Sequence, residues 1–296
     1  MKPKTTVLIL GITGMLGSTL FRVLSQDPLL RIYGAARQKS AKTFFPKALA
    51  KNIITLGDIE SNQSIRALLQ KTKPDVVINC IGLIKQLNEA NEVLQAIPLN
   101  SMLPHRLSLL TKEVGSRLIL ISTDCVFSGK KGNYKETDRP DCTDLYGQSK
   151  LLGEIADEKH VLTIRTSIIG HELRGGHSLV NWFLKQKGST TGYCKAIYSG
   201  LPTAELANIL LNTVLANTKL NGLYQIASEP ISKYDLLHLI AKSYGKKIVI
   251  SKANTPKIDR SLSYAKFKKQ TGYRPKPWNQ LIDEMHSDYQ LAKNDS

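Results

Sequence analysis

Up to Thr166 the chain alternates short apolar runs with stretches of helical periodicity. The runs are Thr6–Leu10, Arg31–Ala35, Asn52–Thr55, Val76–Cys80, Arg117–Ser122 and Val161–Thr166. Each is short, continuous and rich in Val, Ile or Leu, the reading of a strand buried on both faces rather than of a half-exposed one. Between them, helices are predicted at Met15–Leu24, Ser61–Gln70 and Pro104–Val114. The last has a proline suited to a first helical position and a stop at Gly115. Strand–helix alternation predicts a Rossmann-type α/β fold, a doubly wound parallel sheet.

After Thr166 the pattern loosens. Gly170, Gly175 and Gly176 mark a loop, helices are predicted at Ser178–Lys187, Ala204–Ala216 and Ser232–Tyr244, and a late strand at Lys247–Ile250. The expected organisation is a nucleotide-binding domain over 1–166, with contributions from about 196–227, and a smaller mixed substrate-binding lobe built from 167–195 and 228–296.

Composition narrows this picture more than it extends it. An apolar content of 42% suits a packed core. No apolar run is long enough to cross a membrane. The lysines near the N-terminus precede an apolar stretch that breaks at Gly11, so a buried strand is expected there rather than a signal peptide. Cys80, Cys125, Cys142 and Cys194 lack CxxC spacing, and the six histidines form no HExxH pair. A cytoplasmic protein with neither disulfides nor metal is expected. The net charge of +17 is spread over many lysines and lacks the aromatic interleaving of a nucleic-acid binder, so a solvated basic surface is the expectation for most of it.

The first apolar run ends in Gly11-Ile12-Thr13-Gly14-Met15-Leu16-Gly17, a GxxGxxG turn between a strand and a helix. In that setting the glycines allow a tight turn, close approach to a diphosphate, and helix–strand packing; the helix N-terminus then faces the anion. The second run ends in Ala36-Arg37 with Lys39 beyond and no acid near. A cation there suits a 2′-phosphate, which points to NADP rather than NAD. Asp58 after the third run either accepts from an adenine amino group or caps a helix.

The fifth run leads into Ser122-Thr123-Asp124, and Tyr146 stands four residues before Lys150. On a helix those two share a face, so the ammonium is expected to lower the phenol's pKa. A phenol so tuned serves as the acid for a developing alkoxide, with Thr123 holding the same oxygen.

These elements together resemble an extended short-chain dehydrogenase/reductase, most closely the dTDP-4-dehydrorhamnose reductase family. The resemblance rests on Ser122-Thr123-Asp124-Cys125-Val126-Phe127-Ser128-Gly129, then Tyr134, Glu136 and Asp138, then Tyr146-Gly147-Gln148-Ser149-Lys150-Leu151-Leu152-Gly153-Glu154. Asn79, Asn100, Arg165-Thr166-Ser167 and Gly200-Leu201-Pro202-Thr203 also match. The resemblance implies hydride transfer from NADPH to the C4 keto group of a nucleotide-linked 6-deoxy sugar. Thr123, Tyr146 and Lys150 are its implied catalytic triad, and Lys150 would also hold the nicotinamide ribose. Gly11, Thr13, Gly14, Met15, Leu16, Gly17, Arg37, Asp58, Ile59, Cys80, Ile81, Gly82 and Asn100, with Tyr146 and Lys150, are the expected cofactor-binding positions. The chain departs from the rhamnose enzymes at Met15, at Cys80-Ile81-Gly82 and at Ile168-Ile169-Gly170, which leaves room for a different nucleotide sugar. A dehydratase would need a glutamate where Cys125 stands, and Arg37 disfavours a 4-epimerase with resident NAD. A non-catalytic NADP-binding subunit, like the regulatory subunit of methionine adenosyltransferase, is the alternative from another class. Lys85, His171, Arg174, His177, Asn181, Trp182 and Lys195 are candidates to line the substrate cleft. The expected partner is a nucleotide-diphosphate sugar, with a homodimer as a possible assembly.

Overall fold

The structure, a computed structural model, describes residues 4–84 and 91–294. Its centre is a seven-stranded sheet. β1 is Thr5–Leu10, β2 Leu30–Ala36, β3 Ile53–Thr55, β4 Val76–Asn79, β5 Arg117–Thr123 and β6 Val161–Thr166. With a seventh strand, Gly222–Gln225, outside β6, the spatial order is Gly222–Gln225, β6, β5, β4, β1, β2, β3, and every pairing is parallel. The chain reverses direction across the sheet between β1 and β4, where the carboxyl ends of open α/β sheets leave a crevice.

The alternation of β1 shows why its run is continuous. Val7 and Ile9 enter the core on one face with Leu20 and Phe21; Leu8 and Leu10 enter that on the other with Ile65, Leu68 and Leu107. Helix α1, Met15–Leu24, buries Leu16, Leu20, Phe21 and Leu24, one stripe at helical spacing.

The helix predicted to start at Pro104 begins earlier. Val93–Ala96 is α-helical, Ile97–Met102 widens into a π-type stretch, and Leu103–Glu113 continues it. The widened turn carries the Leu103 N–H to the Pro98 carbonyl, five residues back. A proline removes a donor and crowds the preceding turn, and a π-type stretch relieves both without ending the helix.

The smaller lobe holds short strands. Ala196–Tyr198 pairs with Ile231–Ser232 and Ile258–Asp259, outside the seven-stranded sheet. The predicted strand at Lys247–Ile250 is found at Val249–Ala253, parallel to Ser189–Tyr193. A helix absent from the sequence reading, Trp278–Asn294, returns the chain to α1, where Asp288 meets Arg22 at 2.5 Å. Among the described residues, no helix is long and apolar enough to cross a membrane.

Candidate active site

β1 ends at Leu10, and Gly11 turns the chain at φ +81°. A Cβ there would lie 2.9 Å from the Ile81 side chain and 3.1 Å from the Cys80 carbonyl carbon. Only glycine lets this turn pass so close to the end of β4. A Cβ on Gly17 would overlap the Gly11 carbonyl oxygen, which fixes α1 hard against the strand. Gly14 precedes α1 in extended conformation, with no side-chain cap. The leading N–H groups of α1 therefore have neither intrahelical nor capping acceptors.

The turn opens into a cleft of about 560 Å³. Thr13, Gly14, Met15 and Leu16 line one end, Asn79 to Ile84 its floor, and Thr123, Tyr146 and Lys150 its middle. Three segments of chain converge there because β5 delivers Thr123 and the helix Leu145–Leu152 delivers the other two. Asp144 caps that helix by accepting from the Gly147 N–H at 3.0 Å. Lys150 Nζ donates to the Ile121 carbonyl at 2.8 Å, which pins the helix to the end of β5. One residue on, Ser122 Oγ donates to Glu154 Oε1 at 2.6 Å, and Arg165 of β6 grips the same carboxylate at 2.8 and 2.6 Å.

The electrostatics differ from the sequence expectation. Burial pushes the Tyr146 phenol well above its ordinary range. Cys125 and Asp124 act in the same direction, and Thr123 beside it offsets only part. The expected net lowering by Lys150 does not occur, because desolvation of the phenolate outweighs the nearby favourable groups. Lys150 itself is lowered to about 8 by burial, against the pull of Glu154 and Cys80. At neutral pH the phenol is protonated and the amine is charged.

Of the residues expected at the cofactor, Thr13, Gly14, Met15, Leu16, Cys80, Ile81, Gly82, Tyr146 and Lys150 line this one cleft. Gly11 and Gly17 shape its turn from behind. Arg37 stands exposed just past β2, and Ile59 lies beyond β3 outside the cleft lining. Asp58 caps no helix: its Oδ1 accepts from Glu60 N–H at 2.8 Å, and Ser61 caps the next helix. Asn100 does not line the cleft. Its Oδ1 accepts from Leu83 N–H at 2.9 Å and its Nδ2 donates to Ser149 Oγ at 3.1 Å, so it braces the floor against the Tyr146 helix.

Of the substrate candidates, only Arg174 lines the cleft. Lys85 lies outside the described residues. His177, Trp182 and Lys195 are exposed elsewhere. The structure also brings Asp124, next to Thr123, to the cleft, and adds Tyr198, Lys233 and Arg260 from distant segments. Asp124 is buried, its carboxyl raised by desolvation against the pull of Arg260. Among the described residues no group of side chains could hold a metal ion.

His171 and Asn181 meet each other instead. His171 Nδ1 bonds Asn181 Oδ1 at 3.1 Å, its Nε2 bonds the Tyr244 hydroxyl at 2.7 Å, and its ring stacks on Tyr289 at 3.5 Å between centroids. Burial lowers this histidine to about 4. A folded-state value below the unfolded one means the unfolded chain binds more protons between about pH 4 and 6.5, so acidification through that window destabilises the fold. Relative to a His171→Asn variant, the wild-type protein should lose about 2–3 kcal/mol more stability from pH 6.5 to 4. Urea unfolding at both pH values checks this; parallel slopes would show that the imidazole is not buried neutral.

The family description "RmlD substrate binding domain" matches residues 5–291. The chain is 27% identical over 300 residues to the spore coat polysaccharide biosynthesis protein SpsK of Bacillus subtilis, covering 95% of this chain and 96% of that protein. It is 27% identical over 261 residues to the methionine adenosyltransferase 2 subunit beta of Danio rerio, covering 82% and 75%. Among solved structures, a dTDP-4-dehydrorhamnose reductase from Bacillus anthracis in complex with NADP superposes with a TM-score of 0.78 at 20% identity, covering 96% of this chain and 99% of that one. A seven-stranded parallel sheet with a glycine turn at its switch point, matched by the family description over nearly its whole length, makes this chain a member of the RmlD substrate-binding-domain family.

Proposed function

We propose that the protein is an NADPH-dependent reductase of a nucleotide-linked 4-keto-6-deoxy sugar. The observation that carries this reading is the convergence of Tyr146, Thr123 and Lys150 in the cleft that begins at the glycine turn. The turn fits a dinucleotide, since at Gly11 a Cβ would fill the space the cradle keeps open. When bound there, the cofactor supplies the hydride. Tyr146, protonated at neutral pH, donates its proton to the oxygen that develops negative charge at C4, and Thr123 orients that oxygen. Lys150, held by the Ile121 carbonyl, keeps a positive charge beside the site and would hold the nicotinamide ribose of a bound cofactor. Arg37, exposed past β2 and facing no acid nearby in sequence, takes the 2′-phosphate. Asp124, Lys233 and Arg260 form the sugar-nucleotide end, the two cations suiting a diphosphate.

The names of the relatives favour polysaccharide precursors, because SpsK is a polysaccharide biosynthesis protein and the Bacillus anthracis neighbour is a dTDP-sugar reductase. The methionine adenosyltransferase beta subunits among the relatives raise a second reading, a dinucleotide-binding subunit without turnover. A single assay separates the two. Purified protein mixed with NADPH and a panel of 4-keto-6-deoxy sugar nucleotides should oxidise NADPH at 340 nm, with NADH a poorer donor. Tight NADPH binding with no oxidation by any keto sugar would favour the subunit reading.

A further inference from the structure

The loop after Ser167 is built rather than slack. Gly175 turns it at φ +99°, Glu172 accepts from the His177 N–H at 3.0 Å, and Lys185 Nζ donates to the Gly175 carbonyl at 3.3 Å. Arg174 stands at its tip. Its guanidinium carbon lies 4.2 Å from the ring centroid of Phe44, in the segment Lys39–Phe44 that follows Arg37. The loop therefore spans from the smaller lobe to the nucleotide-binding part, and Arg174 also lines the cleft with Gly14 and Met15.

An arginine on an aromatic face keeps its N–H donors in the guanidinium plane, free for an anion. Among the described residues no carboxylate pairs with Arg174, and none of its donors has a hydrogen-bond partner. The nearest acid in its own loop, Glu172, is engaged with the His177 N–H. An exposed cation with free donors that lines the same cleft as a helix N-terminus with uncapped N–H groups can share a phosphate with it.

We propose that Arg174 clamps the diphosphate of the bound dinucleotide, closing from the smaller lobe over the anion that the first turn of α1 holds from the other side. The clamp rests on the dinucleotide reading of the cleft. It assigns to the cofactor a cation whose position in the smaller lobe would otherwise place it with the sugar nucleotide.

Calorimetric titration of NADPH and NADH, without sugar, tests it on the wild-type protein and on Arg174→Gln, Arg174→Lys and Phe44→Leu. Arg174→Gln should raise Kd for both dinucleotides by a similar factor of about ten, as loss of a charge-assisted contact does. Arg174→Lys should fall between, and Phe44→Leu should cost about three-fold by unseating the guanidinium. Melting temperatures of the two unliganded Arg174 variants should stay close to the wild type's, since among the described residues this exposed side chain has no hydrogen bond to lose, whereas Phe44→Leu, packed against the core, should melt somewhat lower. Unchanged Kd for both dinucleotides, a loss confined to NADPH, or an effect only on KM for the nucleotide sugar would each overturn the clamp. Failure of the wild-type protein to bind either dinucleotide would overturn the cofactor reading and the clamp with it.

Discussion

A Tyr146→Phe variant should turn over its keto-sugar nucleotide about 10²–10⁴-fold more slowly, the range set by loss of a positioned general acid. Its affinity for NADPH should change little, because the glycine turn and the first turn of α1 are untouched. The pH profile of the wild-type enzyme carries a second signature of the same site. Tyr146 is held protonated well above neutrality, so it contributes no limb near pH 7. Lys150, lowered to about 8, loses its ammonium above that pH, so kcat/KM should decline with an alkaline limb near 8. A variant with wild-type turnover would remove Tyr146 from the chemistry. A limb appearing only above pH 10 would show that Lys150 stays charged and that burial does not depress it.

The second large effect concerns the frame behind the acid. Glu154 and Arg165 form an ion pair whose side chains are 8% and 4% exposed, with Phe127 over the guanidinium at 5.1 Å. Arg165 Nη1 has no further partner, so the carboxylate is its principal compensation. Glu154→Gln should destabilise the protein by about 3–5 kcal/mol, the cost of leaving one buried charge alone. That corresponds to a fall in Tm of roughly 6–12 °C for a chain of this size. Adding Arg165→Met to Glu154→Gln should recover much of the loss, since removing both charges leaves none unpaired. Differential scanning calorimetry of the two single variants and the double variant decides it. Strictly additive losses would mean that the pair is not coupled.

Much of the sheet was legible because its strands are buried on both faces and hence read as unbroken apolar runs. The strand Gly222–Gln225 did not register as a run of its own, only within the contribution expected from about 196–227. It is an edge strand of four residues carrying Tyr224 and Gln225, too short and too mixed to register as a run. The helix Trp278–Asn294 escaped for a similar reason: its apolar contacts, Leu281, Ile282 and Met285, are sparse among polar residues. At the site, the glycine turn and the Tyr146–Lys150 pair are local patterns, and spacing reveals them. Lys233, Arg260 and Tyr198 come from the smaller lobe, and their approach is set by tertiary packing that no local period encodes. Asn100 shows the converse. It matches the family pattern, and both ends of its amide bond within the protein, a bracing arrangement that the motif alone does not reveal. The direction of the Tyr146 shift could not be read either, because spacing places a lysine nearby but says nothing of how much water both groups lose.

The end of β5 addresses the Tyr146 helix three times in succession: Ile121 through its carbonyl, Ser122 through its hydroxyl, and Thr123 at the phenol. The helix thus takes its place from a strand at the centre of the sheet as well as from the connection that leads to it, whose Asp144 caps its first turn. The connection between Phe127 and Asp144 is anchored as well: Tyr134 stacks on Phe127, and Glu136 accepts from the Gln225 N–H at 2.9 Å. Because the contacts of Ile121, Ser122 and Thr123 all come from one strand, a displacement of β5 along its own axis would carry Tyr146 and Lys150 with it and keep their spacing from Thr123 unchanged.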